Sequence, residues 1–322
     1  MISRRRLLQA MGAAAAAAGL PSAWAAYPDR PIRLVVPFAP GGQSDIVGRV
    51  LGQKLSERLG VPVIVENKPG ASTLLAAEYV AKAPPDGYTL LVGTSSMAML
   101  ALRQQGTPVD MRRDLTPIST VAETPYVILG NPSAPFRTLP ELIAYAKANP
   151  GKVSYATNGA GTPTHLVGEL LNSTAGMKMV AIPYKGSGPQ TMGLLAGDTQ
   201  VSIDGIGPTD THIREGKILL LATTGTSRTK AFPNVPVVAE TLPGFEAKGW
   251  LGLAGPPRMP REIVDRLNRA VAESLAAPDL RERFAGMSLE AVSNLPDEYA
   301  KQIVDNVDKW ARVVREAKIV IE

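Results

Sequence analysis

The sequence contains no cysteine among its 322 residues. The absence of thiols excludes disulfide bonds, thiolate nucleophiles, zinc ribbons and a lipid-modified N-terminal cysteine. Histidine is almost as scarce, since the chain has only His165 and His212, and neither belongs to an HExxH pattern. We therefore expect no metal site.

Aromatic residues make up only 5% of the chain, and no long run of lysine or arginine follows residue 25. The formal net charge of +5 falls to +2 when the three arginines of residues 1–25 are left out. A basic stripe that follows phosphates and a platform that stacks bases are both missing, so nucleic acid is not an expected partner. Beyond residue 25 no stretch approaches the ~18 apolar residues of a membrane span, so the mature protein is not expected to be membrane-embedded.

Glycine-rich stretches that resemble nucleotide-binding motifs are incomplete. The GSG at 186–188 is followed by Thr191 where the dinucleotide fingerprint requires glycine, and the GAG at 159–161 is followed in the same way by Thr164. The SRTK at 227–230 has the spacing of a Ser/Lys nucleophile pair but lacks the companion motifs. No P-loop occurs, and we expect no cofactor and no enzymatic activity.

The N-terminus has the pattern of an export signal. Three arginines at 4–6 precede an uncharged, alanine-rich run at 7–20, and small residues at Ala23 and Ala25 form a cleavage pattern. The arginine cluster and the weakly hydrophobic run favour the twin-arginine route. We predict that residues 1–25 are removed and that the mature chain is periplasmic.

The mature sequence alternates β-rich runs with helical ones, which is typical of parallel-rich sheets covered by helices. Its length favours two lobes with a cleft between them. We predict a first lobe at 26–124, a second at 125–228, and at 229–322 a return crossing with C-terminal helices that pack on the first lobe. The predicted strands are 33–38, 63–66, 89–93, 126–129, 153–157, 179–183, 200–204, 218–222 and 250–253, and the predicted helices are 45–59, 74–81, 139–148, 164–173, 190–195, 211–215, 261–276 and 297–317.

Two glycine-rich segments carry the predicted ligand site, one in each lobe. Each follows a predicted strand and opens a helix, where backbone N–H groups and the helix dipole favour an anion. A tight turn that uses glycine only for positive φ is the alternative at each. The candidate ligand contacts are Phe38, Gly41, Gly42, Gln43, Ser44 and Asp45 in the first lobe and Asn158, Gly159, Gly161, Thr162, Thr164 and His165 in the second.

Further candidates follow other strands. Thr94 and Ser95 come directly after the strand at 89–93, and Asp204 ends the strand at 200–204. Asp45 and Asp204 are each open to two interpretations, a structural carboxylate or one that accepts a donor from the ligand. A solvated turn is favoured for the segment with Lys185, because four charge-assisted hydrogen bonds from the backbone suffice for a micromolar complex.

Several segments together resemble the extracytoplasmic receptors of tripartite tricarboxylate transporters, the Bug family. They are YPDRPIRLVVPF (27–38) running into Gly41, Gly42 and Asp45, ENKPGA (66–71), PDGYTL (85–90), YATNGAGT (155–162), PYKG (183–186) and PNVP (233–236). The resemblance implies a two-lobed α/β periplasmic binding fold, type II-like, that closes like a Venus flytrap on its ligand. It also implies a carboxylate cargo held largely by backbone amides and ordered water from residues 38–45 and 158–164, with a membrane permease as partner.

The predicted function is capture of a small carboxylate for uptake: a dicarboxylate, a tricarboxylate, an acidic amino acid or an aromatic acid. The protein is expected to be a monomer. One alternative is a ligand sensor for a signalling partner. Another is an exported hydrolase or isomerase that uses Asp45, His165 or Asp204 as acid–base groups in the same cleft.

Overall fold

The computed structural model describes residues 27–319 and 321. The predicted export signal at 1–25 lies outside these residues. Within them, the strands are β1 (Ile32–Val36), β2 (Val63–Asn67), β3 (Thr89–Thr94), β4 (Thr116–Gly130), β5 (Ser154–Thr157), β6 (Val180–Pro183), β7 (Val201–Gly205), β8 (Leu219–Thr223), β9 (Lys248–Gly255) and β10 (Glu290–Ala291).

Helices cover the strands, and those predicted at 74–81 and 139–148 have the predicted bounds. None of the helices in the described range is both long enough and apolar enough to cross a membrane. The α-helices are α1 (Gln43–Leu59), α2 (Leu74–Ala81), α3 (Ser95–Ala98), α4 (Met111–Asp114), α5 (Leu139–Ala148), α6 (Pro163–Ala175), α7 (Ser187–Ala196), α8 (Asp210–Arg214), α9 (Arg261–Leu275), α10 (Pro278–Gly286) and α11 (Pro296–Glu316).

The strands follow the order β2-β1-β3-β9-β4-β7-β5-β6, with β8 and β10 also paired to β4. We call the part built on β1, β2, β3 and β9 the first lobe and the part built on β5 to β8 the second lobe. Pairing is parallel among β1, β2 and β3 and among β5, β6 and β7. It is antiparallel where β9 and β4 join the lobes. The predicted two-lobed α/β fold is confirmed, and each sheet is mixed at the junction.

Strand β4 runs from one lobe into the other. Its residues Thr116 to Pro125 pair with β9, and its residues Tyr126 to Gly130 pair with β7. The sequence predicted only residues 126–129 as a strand, because Pro117 and Pro125 lack the N–H that a central strand donates. Register shifts near Pro117 and near Thr120 accommodate the irregular stretch.

Helix α1 forms because its apolar residues repeat at helical spacing. Val47, Val50, Leu51 and Leu55 are buried on one face, and they pack in the core of the first lobe. The helix ends at Gly60, which adopts the left-handed conformation, with φ of 73°, and donates its N–H to the carbonyl of Ser56. This packing fixes the start of α1 directly after the first glycine-rich segment.

The last helix, α11, contributes to the cores of both lobes. Tyr299 and Ile303 are buried in the first lobe, whereas Trp310 and Val313 belong to the main core of the second. The sequence predicted that both long C-terminal helices pack on the first lobe. Helix α9 does so, against α1. Helix α11 contacts both lobes because its 21 residues extend for about 30 Å.

Candidate ligand-binding cleft

A cleft of about 990 Å³ lies between the two lobes. Its volume is within the range of small-molecule sites. Both predicted glycine-rich segments contribute to its lining. The predicted residues that line it are Phe38, Gly41, Gln43, Ser44, Thr94, Ser95, Asn158, Gly161, Thr162, Thr164 and Asp204.

A buried carboxylate supports the segment of the first lobe from below. The N–H of Gly41 donates to Oδ2 of Asp45 at 2.9 Å, and the same oxygen accepts from Arg49 Nε at 3.0 Å. Asn67 Nδ2 donates both to Asp45 Oδ1 at 2.8 Å and to the carbonyl of Phe38 at 3.0 Å. The hydrogen bond from Arg49, with those from Gly41 and Asn67, lowers the pKa of Asp45 to about 2. Asp45 is therefore ionised, and its two oxygens accept hydrogen bonds from protein donors.

A histidine has the equivalent position in the second lobe. The N–H of Gly161 donates to Nδ1 of His165 at 3.0 Å, so this nitrogen is an acceptor and carries no proton. Partial burial lowers the pKa of His165, although the nearby charge of Glu169 opposes the shift. The imidazole is therefore neutral at pH 7, and it holds Gly161, which lines the cleft with φ of +70°.

Side-chain hydrogen bonds close the rest of the second segment on itself. Thr164 Oγ1 donates to Asn158 Oδ1 at 2.7 Å, and it also accepts from the N–H of Asn158 at 3.1 Å. Thr162 Oγ1 donates to the carbonyl of Gly159 at 2.7 Å. The segment therefore keeps its shape without a ligand, which reduces the entropy cost of binding.

The starts of helices α1 and α6 are open to a ligand. Their N-cap residues are Gly42 and Thr162, and neither residue caps its helix with a side-chain hydrogen bond. First-turn N–H groups of a helix need acceptors, and the helix dipole adds partial positive charge there. Two uncapped helix starts at one cleft form a site suited to an anion.

The cleft is also polar where β4 and β9 join the lobes. The N–H of Trp250 donates to Ser95 Oγ at 3.4 Å. Tyr126 lines the cleft with them. Burial is the main cause that raises the pKa of its phenol to about 12; the charge of Asp204 also raises this pKa, and a hydrogen bond from Ser95 lowers it. Ser95, Tyr126 and Asp204 therefore lie close together, although they come from three distant parts of the sequence.

Asp204 differs from Asp45 in its partners. Its Oδ1 accepts from Ser187 Oγ at 2.9 Å and from the N–H of Gly205 at 2.8 Å. Its Oδ2 is buried and has no hydrogen-bond partner. Burial raises the pKa of Asp204, and the two hydrogen bonds to Oδ1 oppose that shift.

One cation that the sequence analysis missed, Arg103, lines the cleft. Its Nε is buried without a hydrogen-bond partner. Among the described residues it is the only positively charged side chain in the lining. A sequence signal was available, because Arg103 directly ends the apolar run Met97–Leu102, where a lone cation is unusual.

An apolar wall completes the cleft. The sequence analysis missed these residues because ordinary core side chains look the same in sequence. A wall of this kind packs against the carbon skeleton of a ligand whose charged ends bind elsewhere. In addition to Phe38, it comprises Ile46, Met99, Leu100, Trp250, Leu251, Met287, Leu289 and Ile321.

Four predicted residues do not line the cleft: Gly42, Asp45, Gly159 and His165. Asp45 and His165 hold the glycine segments from behind. Gly42 and Gly159 supply backbone for the turns, with φ of −77° and +143°. Lys185, for which a solvated turn was favoured, is exposed and lies outside the lining. Within residues 27–319 and 321, no group of three or more Asp, Glu or His side chains is arranged to hold a metal ion.

Comparisons with known proteins agree with this geometry. Residues 47–319 match the tripartite tricarboxylate transporter family receptor. BugT of Bordetella pertussis is 38% identical over 316 residues, which are 97% of each chain. The solved structure of the periplasmic binding protein BugD is 31% identical and covers 92% of this chain and 100% of its own, with a TM-score of 0.74. An R. palustris protein solved with adipate is 31% identical and covers 91% of this chain and 99% of its own, with a TM-score of 0.78.

The family model therefore extends over most of the described chain and includes the glycine-rich segment of the second lobe, and the alignment with BugT extends over 97% of the chain. The structural likeness is high over both lobes. The chain belongs to the extracytoplasmic receptors of tripartite tricarboxylate transporters, the Bug family.

Proposed function

We propose that this protein is a periplasmic receptor that captures a small carboxylate and closes its two lobes around it. One observation carries the proposal: two glycine-rich segments at uncapped helix starts, one from each lobe, line the same cleft. A carboxylate between them accepts hydrogen bonds from both lobes at once. Each bond of this type contributes about 1.5–3 kcal/mol, so the ligand favours the closed arrangement.

Arg103 supports a ligand with a second anionic group. The Nε of Arg103 is buried without a hydrogen-bond partner, which costs free energy until an acceptor reaches it. The apolar wall accommodates a carbon chain between two charged ends. The adipate-bound R. palustris relative agrees with a dicarboxylate of this kind. A dicarboxylate is therefore the first class to test, before tricarboxylates, acidic amino acids and aromatic acids.

We further propose that the protein is exported through the signal at 1–25 and, as a monomer, delivers its cargo to a membrane permease. The moving units are the first lobe, built on β1, β2, β3 and β9, and the second lobe, built on β5 to β8 together with residues 232–247, which pack in its cores. Strand β4 connects them where its pairing changes from β9 to β7. Rotation about this strand keeps both cores intact if the segment with Val238, Phe245 and Ala247 moves with the second lobe, whose core it joins, and it changes the contacts of α11.

Binding without chemical turnover is also part of the proposal. Of the three acid–base candidates only Asp204 lines the cleft. Asp45 lies behind it and accepts from three protein donors, and His165 accepts from Gly161. A general acid and a general base both need access to the substrate. The family's role as transport receptors agrees with this interpretation.

Native mass spectrometry of the purified protein, followed by denaturation, tests the proposal. We expect one small carboxylic acid per chain, released unchanged on unfolding. If the protein is empty, thermal-shift assays with mono-, di- and tricarboxylates follow, and a binding acid must raise the melting temperature. Failure of every acid at millimolar concentration, or conversion of the bound acid to a product, would contradict the proposal.

A further inference from the structure

The two aspartates at the glycine-rich segments have opposite environments. Both are nearly fully buried, with 3% of each residue exposed. Asp45 is saturated by hydrogen bonds from Gly41, Arg49 and Asn67, and it lies outside the cleft lining. Asp204 lines the cleft, and its Oδ2 has no partner. The fold therefore completes one carboxylate by itself and leaves the other incomplete.

Asp204 lies next to the second glycine-rich segment. Strands β5 and β7 are parallel neighbours, with Tyr155 opposite Val201 and Ala156 opposite Ser202. Two residues further along, β5 leads into Asn158 and β7 reaches Asp204. Neighbouring strands are about 4.8 Å apart, so Asp204 is close to the place where the segment would hold a ligand carboxylate.

An unpartnered carboxylate at this place discriminates among ligands. A buried acceptor without a donor is unfavourable, and a ligand N–H or O–H removes this cost. A second anionic oxygen at the same place is repelled. The site therefore combines an anion-binding segment with an adjacent group that requires a donor.

We infer that Asp204 selects carboxylates that carry a hydroxyl or ammonium group on the carbon next to the carboxyl, and that it does so by accepting a hydrogen bond from that group at Oδ2. This inference rests on the proposed function, because it names the class of ligand that the same cleft prefers. Asp204 is thus a specificity-determining residue of the cleft.

Isothermal titration with matched acids tests the inference. The probes are succinate, L-malate and L-aspartate; glutarate, L-2-hydroxyglutarate and L-glutamate; and 3-phenylpropionate, L-3-phenyllactate and L-phenylalanine. In a series that binds, we expect a donor-bearing member to bind at least tenfold more tightly than the unsubstituted acid, as one hydrogen bond to a charged group predicts.

Two variants separate the possible donors. Asp204→Ala should reduce the preference to less than about threefold for either donor. Asp204→Asn keeps the oxygen that accepts from Ser187 and Gly205 and places an amide NH2 at the position of Oδ2, so it should remove an ammonium preference, whereas a hydroxyl can accept from the NH2 and should retain part of its preference. The ratio of affinities within each variant is the readout, since general damage to the cleft weakens all members of a series alike. Asp198→Asn, an exposed site in the same lobe, is the matched control.

Each outcome has a distinct meaning. If no acid of any series binds, the proposed function fails. If acids bind but the unsubstituted acid has the same affinity as the donor-bearing members of its series, only the inference is wrong. Asp204 is then a protonated donor or a structural group. Retention of the full preference in Asp204→Ala would also overturn the inference.

Discussion

The N–H of Gly161 donates a hydrogen bond to Nδ1 of His165 at 3.0 Å, four residues further along the chain. The first lobe has the same arrangement with different chemistry, since Gly41 donates to the carboxylate of Asp45 at 2.9 Å over the same separation. In both lobes the first turn of a helix orients the glycine that precedes it. One support is a neutral base and the other is an ionised acid, so the two lobes should respond differently to pH.

Acidification should weaken ligand binding through His165. Burial lowers the pKa of this residue below its ordinary value of 6.5. The folded protein favours the neutral imidazole. Its stabilisation of the glycine-rich segment is therefore complete above pH 6.5 and is lost as the pH falls through the lowered pKa. Protonation of Nδ1 removes the acceptor for Gly161. We expect the affinity of the wild type to fall relative to that of His165→Phe between pH 7 and pH 4.5.

Titration calorimetry at each pH measures both proteins with the same acid. The ratio of their affinities cancels the protonation of the ligand itself. At pH 7 His165→Phe should bind at least fivefold more weakly, as expected for the loss of about 1 kcal/mol. A constant ratio over the whole range would contradict a role for His165 in holding the segment.

Alanine substitutions at two adjacent glycines should have unequal effects. Gly41 has φ of +87°, which alanine adopts only with strain of about 1–2 kcal/mol, whereas Gly42 has φ of −77°. An alanine Cβ at Gly42 has its nearest neighbour at 3.8 Å. We expect Gly41→Ala to weaken carboxylate binding at least tenfold and Gly42→Ala to change it less than threefold. Calorimetry on both variants checks this, and equal losses would contradict it.

Asp45 should stabilise the fold at neutral pH and lose this effect in acid. Its pKa falls from an ordinary 3.8 to about 2 because of its donors. A lowered pKa gives stability that is present above pH 3.8 and is lost as the pH approaches 2. We expect Asp45→Ala to lower the free energy of unfolding by about 1–3 kcal/mol at pH 7.

Urea unfolding of the wild type and Asp45→Ala at pH 7, 4 and 2.5 measures this difference, which should shrink at the lowest pH. Asp29→Asn provides a control, because Asp29 is exposed. A difference that does not depend on pH would show that Asp45 acts by packing alone.

Arg103 should contribute to the binding of dicarboxylates in particular. Arg103→Met keeps an apolar stem of similar length and removes the charge. We expect this substitution to reduce the affinity for a dicarboxylate at least tenfold and the affinity for the matching monocarboxylate less than threefold. Lys185→Ala removes an exposed cation outside the cleft, and it should leave both affinities within about threefold. Equal weakening of both acids by Arg103→Met would exclude a second anion contact.

Local sequence patterns were sufficient for most elements of the fold. Helices α2 and α5 have the predicted bounds, because each is a short run of helix-forming residues with a turn signal before it. The glycine segments were found because each lies between a strand and a helix start, where backbone N–H groups favour an anion, although a tight turn was an open alternative. Strand β4 was mostly missed, since its prolines and threonines resemble a loop until pairing with β9 compensates for them.

Only the tertiary structure distinguished the two aspartates of the cleft region. In sequence, Asp45 and Asp204 are both acids at a strand–helix junction. The fold brings Arg49 and Asn67 to Asp45 and leaves Asp204 Oδ2 without a donor. The same holds for Arg103, whose place in the cleft depends on contacts between distant segments.

The sequence by itself therefore determined the α/β class, the position of each glycine-rich segment and the preference of helix starts for an anion, because these depend on residues close together in the chain. The tertiary structure decided which side chains face the ligand and which hold the backbone behind it, because burial and charge pairing depend on residues brought together from both lobes.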